Sequence, residues 1–294
     1  MPSNIRQLGS ALLCWYILRT MKILFVADGR SPIALNWIKY WTMRDHDVFL
    51  ASTFPCDPDL PLARVDFVPV AFSQAKSAPT GESRQRKSLL WGAATLNLRM
   101  GIRHWLGPLT LSRAAAQLNE IIAEVQPDII HAMRVPYEGM LAAAAKQLNP
   151  ETFPPLLISI WGNDFTLHAP SSPLMRHYTR IALRAADALH ADCERDIRLA
   201  AQWGFDASHP SIVLPGGGGI DQSLFYPPAE EANEPLVINP RGFRGYVRND
   251  TFFKSIPLVL KERPDVKFIC PTMAGEAQAE EWIRKLGIGD AVTL

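Results

Sequence analysis

The sequence lacks the features that mark exported, zinc-binding or nucleic-acid-binding proteins. Its four cysteines include no closely spaced pair, which excludes a zinc knuckle and a disulfide framework and favours a reducing cytoplasm. The longest early apolar run, residues 11–18, is much shorter than the ~20 residues of a membrane-spanning helix. Its 30 basic and 29 acidic residues leave a charge of +1, which excludes a globally basic surface for nucleic acid. We therefore expect a cytoplasmic globular protein.

Short buried strands alternate with amphipathic helices along most of the chain. Residues 22–27 (KILFVA) form an apolar run that ends at a Gly-containing turn, a pattern typical of a buried strand. Further strands are predicted at 47–51, 65–70, 128–132, 156–161, 188–191 and 211–214. Helices with apolar residues at three- and four-residue spacing are predicted at 33–43, 111–125, 137–148, 174–186 and 194–203. The alternation predicts a doubly wound α/β domain, a parallel sheet with helices on both faces.

The same alternation resumes after a proline- and acid-rich segment, residues 226–235. Strands are predicted there at 236–239, 266–270 and 291–294, and helices at 250–262 and 276–286. We predict an N-terminal extension (1–20), a first domain (21–215), a linker (216–235) and a partial second domain (236–294). The extension is either an extra helix or a segment upstream of a native start at Met21. Because 59 residues are few for a second domain of this class, we expect it to be truncated.

Two glycine-containing loops are candidate ligand-binding elements. Gly29 and Ser31 follow the first strand, where open parallel sheets bind ligands, and can turn the backbone towards a hydroxylated or anionic ligand. The loop lacks the G-x-G-x-x-G fingerprint of dinucleotide-binding proteins, and a simple turn is the alternative. Gly217 and Gly218 belong to a run of four glycines that has no Walker lysine. This run either approaches a ligand closely or supplies flexibility at a domain junction.

Polar residues also lie at the carboxyl ends of the predicted strands 128–132 and 156–161, or directly after them. His131 can act as a general base or bind a ligand, with Arg134 beside it, although a lone histidine is more often structural. Asn163 and Asp164 follow Trp161-Gly162 and can bind hydroxyl groups. Capping of the next helix is the alternative role for Asp164.

Cations cluster at the start of the second domain. Arg241 and Arg248 lie between a predicted strand and a helix N-terminus, and Lys254 follows near the start of that helix. Guanidinium groups bind phosphate oxygens in pairs and the helix dipole attracts anions, so this cluster suits a diphosphate. A solvated basic surface is the alternative.

The motifs, taken together, resemble glycosyltransferase family 4, whose members have the GT-B fold of two Rossmann-like domains. The matching segments are KILFVADGRSP, PDIIHA, WGND, ADALHADCERDIRLAAQWG, GGGGIDQSLFYPP and INPRG. Each motif alone is weak, but their order and spacing make the joint resemblance fairly specific. It covers most of residues 21–294.

The resemblance implies transfer of a sugar from a nucleotide-sugar to a hydroxyl acceptor, with retention and without a metal or cofactor. The first domain would bind the acceptor and the second the nucleotide diphosphate. Carried over by position, Gly29 and Ser31 belong to the acceptor loop, Asp164 to the family's Gly-x-Asp element, and Arg241 to the diphosphate-binding arginine. The family's next cation has no clear match, Arg248 being the nearest and Lys254 an alternative.

Two departures from the family pattern bear on activity. Many relatives have His-x-His after the fourth strand, whereas this chain has His131-Ala132-Met133 and lacks the second histidine. The family's paired glutamates, which hold the donor, would lie beyond Leu294. We therefore expect residues 1–294 alone to be inactive.

A basic, tryptophan-containing stretch between residues 83 and 119 is a candidate membrane-binding surface. It contains no acidic residue and carries Arg84, Arg86, Lys87, Arg99, Arg103 and Arg113. Cations and interfacial tryptophans suit an anionic lipid surface, which would also suit a lipid-linked acceptor and a peripheral position on the inner face of the cell membrane. An ordinary solvated helix face is the alternative.

The resemblance favours a hexosyltransferase of surface glycan or glycolipid assembly, which leaves two rivals. A nucleotide-sugar epimerase of similar fold would use Glu138, Asp164 and His131 as acid and base groups. A non-catalytic subunit would keep only the acceptor-binding face.

Overall fold

The computed structural model describes residues 20–70, 105, 107–217, 219–220, 222–227, 229, 234–243 and 247–294. It divides the chain into two compact units, residues 1–221 and 222–294, and the division falls within the predicted linker. Most of the predicted basic stretch, the extension up to residue 19, and Gly218 lie outside the described residues. No described helix is both long enough and apolar enough to cross a bilayer.

The described part of the first unit is built on a seven-stranded parallel sheet. Its strands are β1 (Lys22–Ala27), β2 (Asp47–Ser52), β3 (Arg64–Phe67), β4 (Ile129–Met133), β5 (Leu156–Ile160), β6 (Ala188–Ala191) and β7 (Ser211–Val213). They are ordered β3-β2-β1-β4-β5-β6-β7. Strands β2 and β3 thus lie on one side of β1, and strands β4 to β7 lie on its other side. This order confirms the predicted doubly wound α/β fold.

Helices cover both faces of this sheet. They are α1 (Pro32–Thr42), α2 (Leu111–Val125), α3 (Met140–Leu148), α4 (Pro173–Ala185) and α5 (Glu194–Trp203). On one face, Phe25 of β1 and Leu50 of β2 pack with Ile38 of α1. On the other, Leu24 and Ile130 belong to a larger core that includes residues of α2, α3, α4 and α5. Both faces of the central strands are thus buried, which explains why they read as continuous apolar runs.

The predicted helix at 137–148 begins later, at Met140, because the chain first makes a wide turn. This turn spans Val135–Gly139, and a similar one spans Asp164–His168 after β5. In the first turn, Pro136 and Tyr137 have non-helical dihedral angles, and the N–H of Gly139 bonds back to the carbonyl oxygen of Arg134 at 2.8 Å. Helical periodicity does not reveal such a turn, because Tyr137 and Gly139 lie at positions that also suit a helix.

The second unit has a smaller parallel sheet among its described residues. Its strands are β8 (Leu236–Ile238), β9 (Lys267–Ile269) and β10 (Val292–Thr293), in the order β10-β9-β8, with helices α6 (Asn249–Glu262) and α7 (Ala277–Leu286). Phe253 of α6 and Phe268 of β9 lie in its core. The predicted strand–helix alternation is therefore present in both units.

Candidate functional site

A cavity of about 240 Å³ lies at the carboxyl ends of the strands of the first unit. Three loops form most of its wall, with Asp28, Arg30 and Ser31 after β1, Arg134 and Glu138 after β4, and Trp161 after β5. Strands β1 and β4 are neighbours in the sheet, and their crossovers run in opposite directions. The cavity is thus at the switch point where doubly wound sheets bind ligands.

The loop after β1 is fixed by its own polar groups. Asp28 accepts hydrogen bonds from the backbone N–H of Arg30 and from both Nε and Nη2 of the Arg30 side chain, each at 3.0 Å. Ser31 is the N-cap of α1, and its hydroxyl accepts a bond from the N–H of Ala34 at 3.4 Å. The predicted acceptor-loop residue Ser31 therefore lines the cavity and also begins the next helix.

Gly29 is buried in this loop, against the chain that follows β2. Its N–H donates to the hydroxyl of Ser52 at 3.0 Å, so this N–H is already used within the protein. A Cβ at this position would clash with the sulfur of Cys56 and lie 2.9 Å from the Ser52 hydroxyl. A close approach of two chain segments therefore explains the glycine, and the neighbouring side chains, Arg30 and Ser31, line the cavity.

The loop after β4 holds two non-glycine residues with positive φ. Arg134 has a φ of 129° and Tyr137 a φ of 67°, conformations that cost of order 1–3 kcal/mol each. Such strain persists only where the surroundings impose it, and it concentrates at functional sites. Both residues line the cavity.

Asp164 is the group that holds Arg134 in this position. It is completely buried and accepts bonds from Nη2 of Arg134 at 3.1 Å, the N–H of Val135 at 3.2 Å and the N–H of Trp161 at 3.1 Å. These three donors belong to the loops after β4 and β5. The carboxylate therefore ties the two loops together at the sheet edge.

The electrostatics of this pair reflect its burial. Burial raises the pKa of Asp164 above its ordinary value, although the charge of Arg134 and the N–H groups of Trp161 and Val135 oppose the rise. Burial would lower the pKa of Arg134, but the carboxylates of Asp164 and Glu138 outweigh it and the pKa is raised. The guanidinium therefore stays charged, and its Cζ lies 5.3 Å from the centre of the Trp161 ring.

Glu138 is the second carboxylate in the cavity wall, beside Asp28. It is only 4% exposed, and its Oε1 accepts a hydrogen bond from the hydroxyl of Thr53 at 2.7 Å. Thr53 follows β2, so this contact links the loops after β2 and β4. A carboxylate in this wall can accept a hydrogen bond from a hydroxyl group of a ligand.

The predicted candidate His131 lies deeper in the sheet, outside the cavity wall. Its Nε2 is 2.7 Å from the hydroxyl of Ser159, which is 2.9 Å from Nδ1 of His190, and Nε2 of His190 is 2.9 Å from the carbonyl oxygen of Leu214. A carbonyl oxygen only accepts. With both rings neutral, therefore, His190 donates to Leu214, Ser159 donates to His190, and His131 donates to Ser159.

Burial also sets the protonation of this histidine. It lowers the pKa of His131 to about 3, with a further contribution from the nearby His190. The ring of Trp37 from α1 stacks on His190 and lies edge-on to His131. His131 is thus neutral at physiological pH and packs inside the sheet face under α1, so its contacts favour a positioning role.

Two further predicted residues, Asn163 and Gly217, are not part of the cavity wall. The carbonyl oxygen of Asn163 accepts bonds from the N–H groups of Leu167 and His168 in the turn after β5. The carbonyl oxygen of Gly217 accepts a bond from the side chain of Asn36 in α1 at 2.7 Å, which attaches the glycine run to the first unit. A Cβ on Gly217 would meet nothing within 4 Å.

The predicted phosphate-binding cations of the second unit are exposed. Arg248 bonds to Asp250 at 2.9 and 3.0 Å, and Lys254 lies 3.6 Å from the same carboxylate. These bonds lower the pKa of Asp250 below its ordinary value. Arg241 is exposed, and its backbone N–H donates to Asn239 at 3.1 Å. All three cations surround the start of α6 or the strand end before it.

Sequence reasoning missed several residues of the cavity wall. Asp28, Arg30 and Trp161 were visible as strand-end residues, and their position after β1 and β5 was the available signal. Glu138 was considered only for an epimerase, because its place in a predicted helix hid its position at the sheet edge. No cluster of three metal-ligating residues occurs among the described residues.

Residues 82–192 match the family model described as "Glycosyl transferase 4-like". The match confirms the resemblance to family 4, and it includes the loops after β4 and β5 with Arg134, Glu138 and Asp164. No curated protein matches the sequence significantly.

Solved structures show the same fold at low sequence identity. An α,α-trehalose 6-phosphate synthase from Burkholderia multivorans is 12% identical with a TM-score of 0.55, covering 92% of this chain and 70% of its own. The UDP-GlcNAc 2-epimerase from Neisseria meningitidis bound to UDP-GlcNAc is 11% identical with a TM-score of 0.54, covering 93% and 71%. MnaA from Staphylococcus aureus in complex with UDP is 12% identical with a TM-score of 0.51, covering 94% and 68%. These similarities show that the chain has the GT-B type of fold.

Proposed function

We propose that this protein transfers a sugar from a nucleotide-sugar to a hydroxyl group of an acceptor, and that its first unit binds the acceptor. The cavity at the switch point of the sheet is the observation that carries this proposal. At about 240 Å³ it is smaller than the ~300–1,000 Å³ of sites for drug-sized ligands, so it suits a group such as one sugar ring. Its loops are held by Asp164, Asp28 and the Ser31 cap.

The donor is proposed to bind through the second unit. Two proteins of similar fold were solved with UDP or UDP-GlcNAc, which supports a nucleotide-sugar donor. Arg241, Arg248 and Lys254 would bind its diphosphate, since guanidinium and ammonium groups stabilise the charge of a phosphate leaving group. These cations would replace a metal ion, in keeping with the metal-independent, retaining transfer that family 4 implies.

The proposed roles of the predicted catalytic residues follow from their contacts. Asp164 would act by fixing Arg134 and the loops after β4 and β5, and His131 by fixing the hydrogen-bond chain to Leu214. Arg134 and Glu138 would touch the acceptor, because both line the cavity. The proposal also includes a cytoplasmic location, a contact with the inner membrane face through residues 83–119, and a role in surface glycan or glycolipid assembly.

A transfer assay with the complete gene product tests this function. UDP-, GDP- and ADP-sugars would be incubated with methyl glycosides and lipid-linked acceptors, and nucleoside diphosphate release and product mass would be measured. A transferase gives acceptor-dependent release and a heavier acceptor. An epimerase would instead isomerise the nucleotide-sugar without any acceptor, and a binding subunit would do neither.

Two variants locate the activity. Arg134→Ala should lower transfer strongly, whereas the exposed control Glu151→Gln should not change it.

A further inference from the structure

Helix α4 (Pro173–Ala185) carries a row of arginines on its exposed side. Arg176, Arg180 and Arg184 are four residues apart, so they lie on one side of the helix and span about 12 Å along it. All three are exposed. The sequence contains no acidic residue between Asp164 and Asp187. The three arginines together form the basic face of α4.

The basic face has no carboxylate partner among the described residues, whereas other exposed arginines, such as Arg64 and Arg263, form ion pairs. Arg176 donates to the carbonyl oxygen of Pro170 at 3.5 Å. The Cζ of Arg180 lies 5.3 Å from the centre of the Trp203 ring. Neither contact neutralises a charge, so the guanidinium groups present their charge to the solvent.

Exposed apolar side chains lie beside this helix. The short 3-10 turn Gly107–Thr110 packs against α4. Leu109 in the turn is 61% exposed, and Trp105 just before it is 56% exposed. The first acidic residue after them, Glu120, comes about two and a half turns into α2. Cations and large apolar side chains thus occur side by side on the first unit.

We propose that the basic face of α4, together with Trp105 and Leu109, docks on an anionic lipid bilayer. Lipid phosphates attract the guanidinium groups, and tryptophan and leucine side chains enter the boundary between headgroups and acyl chains. A soluble polyanion would attract the same cations, but it offers no apolar phase to the exposed tryptophan and leucine.

The inference rests on the membrane contact included in the proposed function, but not on the transfer reaction. It extends the proposed contact through residues 83–119, to which Trp105 and Leu109 belong, to a helix that is distant in the sequence. Tertiary packing, rather than a continuous basic segment, would therefore build the docking surface.

Co-sedimentation of residues 1–294 with sucrose-loaded vesicles tests this docking. Vesicles of phosphatidylcholine alone are compared with vesicles that also contain phosphatidylglycerol, at low and at physiological salt. We expect binding to the anionic vesicles to be at least about tenfold tighter than to the neutral ones, and to weaken as the salt concentration rises. Equal binding to both kinds of vesicle, or no binding to either, would overturn the proposal.

Charge-removing variants examine the basic face itself. An arginine near an anionic lipid surface changes binding about fivefold, so Arg176→Gln, Arg180→Gln and Arg184→Gln together should weaken vesicle binding at least about tenfold. If this triple variant does not fold, Arg176→Gln with Arg184→Gln keeps Arg180 on Trp203 and should weaken binding by about tenfold or more. Wild-type affinity in the folded variants would refute the role of α4.

A matched control removes the same number of cations from the second unit. Arg263, Arg284 and Lys285 are exposed there, and their joint replacement by glutamine should leave vesicle binding unchanged. An equal loss in this control would show that total charge, rather than the basic face, governs binding.

Two further measurements identify the partner. Trp105→Ala with Leu109→Ala should weaken vesicle binding and preserve its salt dependence, and unchanged binding would argue against a bilayer. If soluble polyglutamate binds through the basic face and the anionic vesicles do not, the partner is an acidic protein and the proposal fails. Transfer to a soluble acceptor by the complete gene product should survive the three arginine changes, so loss of docking and loss of transfer are separate results.

Discussion

Two Arg–Asp pairs of nearly equal length occupy very different surroundings in the two units. Arg134 and Asp164 lie 3.1 Å apart in the first unit, and the Asp164 side chain is fully buried. Arg248 and Asp250 lie 2.9 Å apart in the second unit, and the Arg248 side chain is 76% exposed. Distance therefore does not distinguish the pairs, but burial does, because water screens the exposed pair and not the buried one.

The comparison also separates two ways of preparing a binding site. The cavity of the first unit is fixed before any ligand binds, through strained loops, an N-cap and a buried carboxylate. Arg248 and Lys254 of the second unit are exposed and share the carboxylate of Asp250, so a phosphate would have to replace Asp250 as their partner. We therefore expect substitutions in the first site to change the free energy of unfolding, and substitutions in the second to change the affinity for an anionic ligand.

Removal of the buried carboxylate should give the largest effect. Asp164→Ala leaves the buried guanidinium of Arg134 without its counter-ion and two backbone N–H groups without an acceptor. The free energy of unfolding should fall by about 3–5 kcal/mol, measured by urea denaturation. Asp250→Ala, the matched change in the exposed pair, should leave the unfolding curve unchanged. Similar decreases in the free energy of unfolding from both changes would contradict the difference between the buried and the exposed pair.

A methyl group at Gly29 should give the next largest effect. Gly29→Ala forces a Cβ against the sulfur of Cys56, and overpacking of this kind costs about 1–3 kcal/mol. Gly217→Ala is the control, since its Cβ would enter open space. Addition of Cys56→Ala should restore part of the stability lost in Gly29→Ala, and a lack of coupling between the two sites would refute the steric explanation.

The pH dependence of stability should report the burial of His131. Its pKa is about 3 in the folded protein and ordinarily about 6.5, so the unfolded chain takes up the proton first. The stabilisation is present above pH ~6.5 and is lost as the pH falls towards 3, by up to about 1.4 kcal/mol per pH unit. His131→Gln should flatten this slope in urea titrations at successive pH values. An unaltered slope would show that other groups cause it.

A substitution of Arg248 should have the smallest effect on stability, but it should weaken ligand binding. Arg248→Ala removes one charged phosphate contact and should weaken UDP binding by about tenfold, as measured by calorimetry. The thermal midpoint of unfolding should stay the same. Unchanged UDP affinity would indicate that Arg241 and Lys254 suffice or that the diphosphate binds elsewhere.

The sequence predicted the helices and strands correctly, but it did not predict where the helix beside the cavity begins. Helices α2 and α5 were predicted with the bounds that the structure has, because each shows local apolar periodicity. The helix predicted from residue 137 begins at Met140 instead. Tyr137 and Glu138 lie in the strained turn that builds the cavity, and contacts with distant residues, such as Thr53 for Glu138, are not visible in local periodicity.

The sequence by itself determined the strand–helix alternation, the doubly wound fold class and the family resemblance, since these depend on neighbouring residues and short motifs. Only the tertiary structure decided which strand ends meet. The order of the sheet places the loops after β1, β4 and β5 together, although Asp28 and Trp161 are far apart in the chain. It also buries His131 beneath Trp37 and turns Asp164 inwards to hold Arg134. Packing of distant segments, rather than local pattern, thus separates the residues that line the cavity from those that hold it in shape.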